Sequence, residues 1–188
     1  MVDDLVWRRG LRHPGHDYKV FTTGFVDATH PRTGESKRFS LIECVDWVNV
    51  IALTADDQVV VIRQYRPGTD RVCIEIPGGM IDDGEDPQTA AARELVEETG
   101  YTATTWRLLG KSAPNPALQN NTLHTYLALD ATMTEAPRPD GNEVLAVSTM
   151  PLPVVQQLLR TGHIDHALVI TAFGHLAFSI SELVRPPR

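Results

Sequence analysis

Cysteine and positive charge are both scarce in this sequence, and each shortage excludes a class of protein. The 188 residues include only two cysteines, Cys44 and Cys73, too few for a disulfide framework and without the CxxC spacing of a zinc site. Lys and Arg number 17 against 24 Asp and Glu, which gives a formal charge of −7. Because an acidic surface repels phosphate backbones, nucleic acids and anionic membranes are poor candidate partners.

Long hydrophobic runs are also missing. The longest mostly apolar stretch, residues 167–178, contains a Gly and a His and is too short to span a bilayer. The N-terminus lacks the basic and then apolar order of a signal peptide. With 42% hydrophobic residues, the composition predicts a soluble, cytoplasmic protein that has a buried core and reduced thiols.

Alternation of apolar and polar residues predicts most of the strands. Residues 1–17 are mostly polar and are interrupted by Pro14 and Gly15, which predicts a loose lead-in, whereas 18–28 and 38–46 predict a hairpin. Further strands are predicted at 48–53, 59–64, 72–76, 104–112, 122–129 and 143–149, and further helices at 152–161 and 165–182. These elements predict one domain over residues 18–188 of the α/β (α+β) class, a mixed sheet with helices packed on it.

The helix predicted at residues 87–99 has clear signals at both ends. Asp86 suits the N-cap position, Pro87 suits the first helical position, and Gly100 suits the position after the last turn. A glycine-bounded loop that carries Glu85 leads into this helix and can turn sharply. The segment therefore predicts a loop followed by a short, well-defined helix.

Glu94, Glu97 and Glu98 fall within about 100° of arc on this helix. An acidic face turned to solvent is the ordinary explanation of such a trio. A divalent cation is the alternative, because Mg²⁺ binds several oxygens in tight geometry. The glutamates lie near the C-terminal end of the helix, where its dipole disfavours negative charge, and this placement favours the alternative.

Residues 79–101 match every fixed position of the pattern G-x5-E-x7-R-E-U-x-E-E-x-G-U, in which U is apolar. This pattern is the Nudix box, and the chain resembles the Nudix hydrolase family. The one departure is Tyr101, at a position that is usually aliphatic. The resemblance implies the Nudix fold, in which a mixed central sheet is flanked by helices and the box forms a loop, a helix and a loop.

The resemblance also implies roles for residues in and beside the box. The carboxylates of Glu94, Glu97 and Glu98 would bind Mg²⁺ or Mn²⁺. The backbone carbonyl of Gly78, the residue before the box, would be a further ligand. Arg93 and Glu85 would form an ion pair that fixes the loop against the helix. In relatives of ADP-ribose pyrophosphatase the general base often lies late in the sheet, where this chain has Glu143; Glu98 and Glu97 are rivals, and a surface turn is the ordinary alternative for Glu143.

Features outside the box resemble the ADP-ribose and nucleotide-sugar pyrophosphatases. Residues 63–66 resemble their Q-Y-R motif and residues 75–79 their E-x-P-A-G motif, whereas residues 114–121 depart from their S-P-G pattern. Candidate substrate contacts are Arg63, Arg66, Glu75, Asn120, Asn121 and Trp47. The alternatives are surface arginines, turn-forming asparagines and a core aromatic residue.

The expected function is metal-dependent hydrolysis of ADP-ribose or a related nucleoside-diphosphate sugar to a nucleoside monophosphate and a sugar phosphate. The resemblance implies a homodimer, with the hairpin at 18–46 in its interface. An alternative is a Nudix hydrolase of nucleoside triphosphates or dinucleoside polyphosphates. A non-catalytic Nudix-fold regulator is disfavoured, since such proteins usually have a damaged box.

Overall fold

The computed structural model describes residues 3–139, 141 and 143–183, and its contacts group the chain into two compact units. The first unit comprises residues up to 45 together with 113–122, and the second comprises 46–112 and residues from 123 onward. That residues 18–188 form one domain stays a prediction. The loop at 113–122 joins the N-terminal strands because the backbone N–H of Ile42 donates to the carbonyl of Leu118.

The first unit is a three-stranded antiparallel sheet in the order β1-β2-β3. A 3-10 turn at Asp3–Leu5 precedes β1 (Arg8–Asp17), β2 (Thr22–Thr29) and β3 (Ser36–Glu43). The hairpin predicted at 18–28 and 38–46 is confirmed as β2 and β3, which pair along their full length. The side chain of Asp27 on β2 ties the sheet together, accepting hydrogen bonds from Arg38 on β3 and contacting His13 on β1.

The loose lead-in predicted for residues 1–17 is wrong for 8–17, which form β1 and pair with β2. Nearly all side chains of β1 are exposed, so the strand carries no apolar alternation from which it could be predicted. The register with β2 shifts twice, between Arg9 and Arg12, where Gly10 lies, and between Pro14 and Asp17, where Gly15 lies. An edge strand tolerates such residues because the outer side of its backbone needs no ladder partner.

The second unit is built on a mixed sheet, as predicted. Its strands are β4 (Trp47–Ala52), β5 (Gln58–Arg66), β6 (Arg71–Glu75), β7 (Gly78–Met80), β8 (Tyr101–Thr102), β9 (Thr105–Ser112), β10 (Leu123–Leu129), β11 (Thr132–Met133) and β12 (Leu145–Pro151). They form the ladders β7-β4-β10-β9, β12-β5-β6 and β11-β8. Among the described strands of this unit, β4 and β10 pair in parallel and the other pairs are antiparallel.

Three helices cover the two faces of these strands: α1 (Pro87–Thr99), α2 (Leu152–Arg160) and α3 (Ala167–Leu183). Successive β4 side chains point to opposite faces, so that Val50 packs in the cluster of α1, whereas Ile51 packs in the cluster of α2 and α3. This layering places α1 alone on one side of the sheet. None of the helices among the described residues has the length and hydrophobicity to cross a bilayer.

Both ends of α1 are as predicted. The Asp86 side chain accepts hydrogen bonds from the backbone N–H groups of Gln88 and Thr89, which leaves fewer unsatisfied donors in the first turn. Gly100 adopts φ +74° and returns its N–H to the carbonyl of Val96. The caps therefore determine where the helix begins and ends, and with that the positions of its glutamates relative to the strands beneath it.

Gly100→Ala is expected to destabilise the protein more than a glycine replacement that only strains the backbone. A Cβ at Gly100 would overlap the carbonyl oxygen of Glu135 and lie 3.1 Å from its carbonyl carbon, in addition to adopting a left-handed φ. We expect a loss of about 2–4 kcal/mol in the free energy of unfolding, measured in urea. Gly162→Ala is the control, because Gly162 has φ +75° and open space around its Cβ position; equal losses in the two variants would contradict the expectation.

Candidate active site

Arg93 binds the glycine-bounded loop to the acidic face of α1. Its Nε and Nη2 atoms donate to the two carboxylate oxygens of Glu85 at 3.0 and 2.9 Å, and Nη2 also donates to the carbonyl of Met80 at 2.9 Å. Its Nη1 donates to Glu94 at 2.8 Å and to Glu97 at 3.2 Å. The structure thus contains the ion pair that the sequence predicts between Arg93 and Glu85, and Arg93 lowers the pKa of Glu85.

Glu98 is the most buried carboxylate of the helix, with 4% of the residue exposed. Its Oε2 accepts a hydrogen bond of 2.9 Å from the backbone N–H of Gly78. Burial raises the pKa of Glu98 to about 8, and the negative charges of Glu94 and Glu143 add to the rise. This position therefore holds a carboxylate whose negative charge the surrounding protein does not fully neutralise.

Gly79 allows the carboxylate of Glu94 to lie directly on the backbone of β7. A Cβ at this position would be 2.6 Å from the Cδ atom of Glu94, so any other side chain would displace this carboxylate. Burial also raises the pKa of Glu94, against the opposing effect of Arg93. The glycine at the start of the box thus leaves room for this carboxylate beside β7.

Glu143 is exposed and lies two residues before β12, and its charge is close enough to raise the pKa of both Glu94 and Glu98. The structure therefore brings together the helix glutamates and the late glutamate that the sequence singles out. Asp140 and Asn142, which accompany Glu143 in the sequence motif, lie outside the described residues.

This group of side chains fits a hard divalent cation in its chemistry. Its donors are all oxygens, and burial of Glu98 and Glu94 opposes their ionisation, so a cation would stabilise their charged forms. In the described part of the chain, no group of three or more His, Cys, Asp or Glu side chains is arranged so that it could hold a metal ion as it stands. Arg93 occupies one oxygen of Glu94 and one of Glu97, which leaves the second oxygen of each carboxylate for a ligand.

Arg66 at the end of β5 is a second cation near this acidic group. Its Nε and Nη2 atoms donate to the two carboxylate oxygens of Glu75, each at 2.7 Å. Glu75 raises the pKa of Arg66, and the charges of Glu98 and Glu143 act in the same direction. The arrangement therefore places a fixed guanidinium within electrostatic range of the carboxylates.

A family model described as NUDIX domain matches residues 46–173. The chain belongs to the Nudix family. The match begins where the second unit begins, and it spans the acidic face of α1, Arg66 and Glu143. The family, the fold class and the enzyme class that the sequence predicts, a Nudix pyrophosphohydrolase, are confirmed, and with them the general dependence of such enzymes on a divalent metal.

Relatives of known name extend over most of the chain. This chain is 27% identical to ADP-ribose pyrophosphatase of Bacillus subtilis (strain 168), over 81% of this chain and 83% of that protein. It is 31% identical to ADP-sugar pyrophosphatase of Mus musculus (78% and 73%), and 29% identical to methanol dehydrogenase activator of Bacillus methanolicus (80% and 82%). A crystal structure of an ADP compounds hydrolase superposes with a TM-score of 0.81 at 24% identity, covering 96% and 97% of the two chains, and this likeness shows the fold.

Two of the predicted substrate contacts of this Nudix enzyme take other positions. The carboxylate of Glu75 is 4% exposed and both its oxygens accept from Arg66, so Glu75 holds the arginine and has no free oxygen for a substrate. Arg63 is an odd number of residues from Arg66 on β5, which puts its side chain on the opposite face, where it donates to Ser148. The structure does not bring Arg63 to the acidic group.

The remaining candidates are spread over both units. Trp47 is half-buried at the start of β4, opposite Met80 of β7. Asn120 and Asn121 belong to the first unit, where Asn120 Oδ1 accepts from the backbone N–H of Cys44 at 3.0 Å. Asn121 is 3% exposed, and neither polar atom of its side chain has a partner in the described part of the chain.

Several contacts of the Nudix site have no signal in the sequence. The carbonyl of Met80 accepts from Arg93, and the backbone N–H of Arg138 donates to the carbonyl of Glu97 at 2.7 Å. His166, just before α3, contacts Glu75. Backbone contacts do not depend on residue type, and His166 is far from Glu75 in the sequence, so only the folded chain reveals them.

Proposed function

We propose that this Nudix enzyme hydrolyses the pyrophosphate bond of ADP-ribose or a related nucleoside-diphosphate sugar to a nucleoside monophosphate and a sugar phosphate. The observation that carries the proposal is the buried Glu98 carboxylate on an acidic helix face with the guanidinium of Arg66 held opposite. A substrate with two linked phosphates needs both a cation-binding group and a positively charged contact. The names of the relatives in Bacillus subtilis and Mus musculus support the ADP-linked class.

The proposed cofactor is Mg²⁺ or Mn²⁺, held by Glu94, Glu97 and Glu98 with the carbonyl of Gly78. When bound, such an ion neutralises phosphate charge and lowers the pKa of a coordinated water. The second oxygens of Glu94 and Glu97 are the ones that Arg93 leaves for this role. Arg93 and Glu85 keep the loop and the helix in one arrangement.

The chain supplies the remaining steps of the proposed reaction. Glu143 is exposed beside the acidic group and accepts the proton of the attacking water, with Glu98 and Glu97 as the rival bases. Arg66 binds a substrate phosphate through the edge of its guanidinium that Glu75 leaves free. We further propose that the protein is a cytoplasmic homodimer and that the β2–β3 hairpin takes part in the interface. We also propose that Trp47 stacks on the base of the substrate and that the two units act as one Nudix domain.

A second candidate function follows from one relative. The chain is 29% identical to methanol dehydrogenase activator of Bacillus methanolicus, which supports a regulatory action on a protein partner. Hydrolysis remains the better supported proposal, because Glu85, Glu94 and Glu97 of the box contact Arg93 and Glu98 accepts from the backbone N–H of Gly78.

A substrate panel tests the proposal. Purified enzyme is incubated in ¹⁸O-water with ADP-ribose, ADP- and GDP-sugars, NADH, diadenosine polyphosphates or dNTPs, with and without Mg²⁺. The products are then identified by mass spectrometry. We expect Mg²⁺-dependent release of a nucleoside monophosphate from the nucleoside-diphosphate sugars, and ¹⁸O in one product identifies the attacked phosphorus. Preference for dNTPs or dinucleoside polyphosphates would support the alternative enzyme class, and no Mg²⁺-dependent product from any compound would contradict hydrolysis.

A further inference from the structure

The carboxylate of Glu75 contacts two side chains, those of Arg66 and His166. Arg66 donates to both of its oxygens, and on the other side the Nε2 atom of His166 lies 3.7 Å from Oε2. Glu75 is 4% exposed, so these two side chains are what this carboxylate meets in place of water. A buried carboxylate depends on such neighbours to remain in a single orientation.

His166 is itself firmly placed. Its backbone carbonyl accepts from the N–H groups of Val169 and Ile170, so the residue begins the first turn of α3. The Nδ1 atom of its ring is buried and has no hydrogen-bond partner in the described ranges. In the described ranges, the ring thus makes no hydrogen bond, and its close side-chain contact is the one with the Glu75 carboxylate, at an ion-pair distance of 3.7 Å.

Arg66 is held by one edge only. Nε and Nη2 are committed to Glu75, whereas Nη1 has no hydrogen-bond partner among the residues described. The free edge of a guanidinium binds a phosphate well only when its plane is fixed, because its fork geometry matches two oxygens. Since Glu75 fixes this plane, any group that fixes Glu75 acts on the phosphate contact as well.

We propose that His166 is a positioning residue for substrate binding, which holds Glu75 so that Glu75 keeps the free edge of Arg66 turned to the substrate phosphates. This inference rests on the proposed function, because it takes Arg66 as the phosphate contact. His166 touches neither the substrate nor the acidic group in this role. Its effect reaches the reaction through two intervening side chains.

The neighbouring residue provides a matched control. Asp165 pairs with Arg71 at the other end of β6, and both side chains are about half exposed. Asp165 and His166 thus attach the same loop to the same strand, but only His166 contacts Glu75. A variant of Asp165 loosens the loop without touching the Arg66–Glu75 pair.

Steady-state kinetics of His166→Ala, His166→Gln and Asp165→Ala test the proposal. We expect His166→Ala to raise KM for the nucleoside-diphosphate sugar about three- to tenfold with kcat within about twofold, the size of one weakened charge-assisted contact. His166→Gln retains a donor and should restore KM, and Asp165→Ala should leave it unchanged. Adding His166→Ala to Arg66→Ala should change nothing further, since both act on one contact. An unchanged KM in His166→Ala, or an equal rise in Asp165→Ala, would overturn the proposal.

A second measurement does not depend on turnover. In ¹⁵N NMR spectra of the full chain, the Nε–H of Arg66, assigned by its loss in Arg66→Lys, should exchange slowly because it donates to a buried carboxylate. His166→Ala should make this signal exchange faster, and Asp165→Ala should not. Wild-type enzyme that lacks turnover but shows this pattern would count against the proposed function alone, whereas active enzyme without it would count against the role of His166.

Discussion

Glu98→Gln is expected to lower kcat about a hundredfold or more, with little loss of folded protein. The amide keeps the shape of the side chain and can still accept the hydrogen bond from the backbone N–H of Gly78. What it removes is the negative charge at the most buried point of the acidic face. The size of the loss is that expected for removal of a metal ligand or its direct support. Initial rates with the preferred substrate of the panel, at saturating Mg²⁺, measure it.

The control for this variant is Glu35→Gln, which makes the same chemical change in the exposed turn between β2 and β3. We expect its kcat to equal that of the wild type. Far-ultraviolet circular dichroism and thermal unfolding of both variants establish that the fold is retained. Full activity of Glu98→Gln would remove Glu98 from the metal site.

The stability of the metal-free protein is expected to fall as pH rises from about 5 to about 8. Burial raises the pKa of Glu98 in the folded protein to about 8 from an ordinary value of 4.5. Between these two values the folded state binds the proton more tightly than the unfolded state, so the contribution is fully present below pH 4.5 and lost as pH approaches 8. The linkage amounts to a few kcal/mol, and urea unfolding in EDTA at several pH values measures it.

Glu98→Gln isolates this contribution, because the other titrating groups, histidines included, remain in the variant. We expect the difference in stability between wild type and variant to change with pH over this window and to level off above about pH 8. Saturating Mn²⁺ should largely remove the fall in the wild type, since a cation stabilises the ionised carboxylate. Parallel pH curves for the two proteins would show that Glu98 does not titrate as the structure indicates.

The parts that the sequence predicts well are those fixed by local rules. Asp86 and Gly100 determine the ends of α1 through hydrogen bonds within a few residues, and the helical repeat places Glu94 and Glu98 on one side. The pairing of Arg93 with Glu85 follows from the resemblance to the Nudix box. In all of these the partners are neighbours in the chain or belong to one recurring motif.

The parts that it does not predict depend on contacts between distant segments. Strand β1 is an edge strand whose side chains are nearly all exposed, so its sequence does not alternate between apolar and polar residues. Its pairing with β2 therefore cannot be predicted from the sequence. The sequence motif predicts a substrate contact for Glu75, but in the folded chain its carboxylate binds Arg66. Side chains alternate between the two faces of β5, so Arg63 lies on the face opposite Arg66. Nothing local relates His166 to any of these residues.

Binding of Mn²⁺ to the purified protein tests the central claim most directly, because it needs neither substrate nor turnover. Electron paramagnetic resonance measures the free ion as metal is titrated into wild type, Glu98→Gln and Glu35→Gln. If carboxylates from adjacent turns of α1 share a cation, the wild type and Glu35→Gln will bind Mn²⁺ saturably, and Glu98→Gln will bind it at least about tenfold more weakly. Identical binding curves for all three proteins would contradict the account.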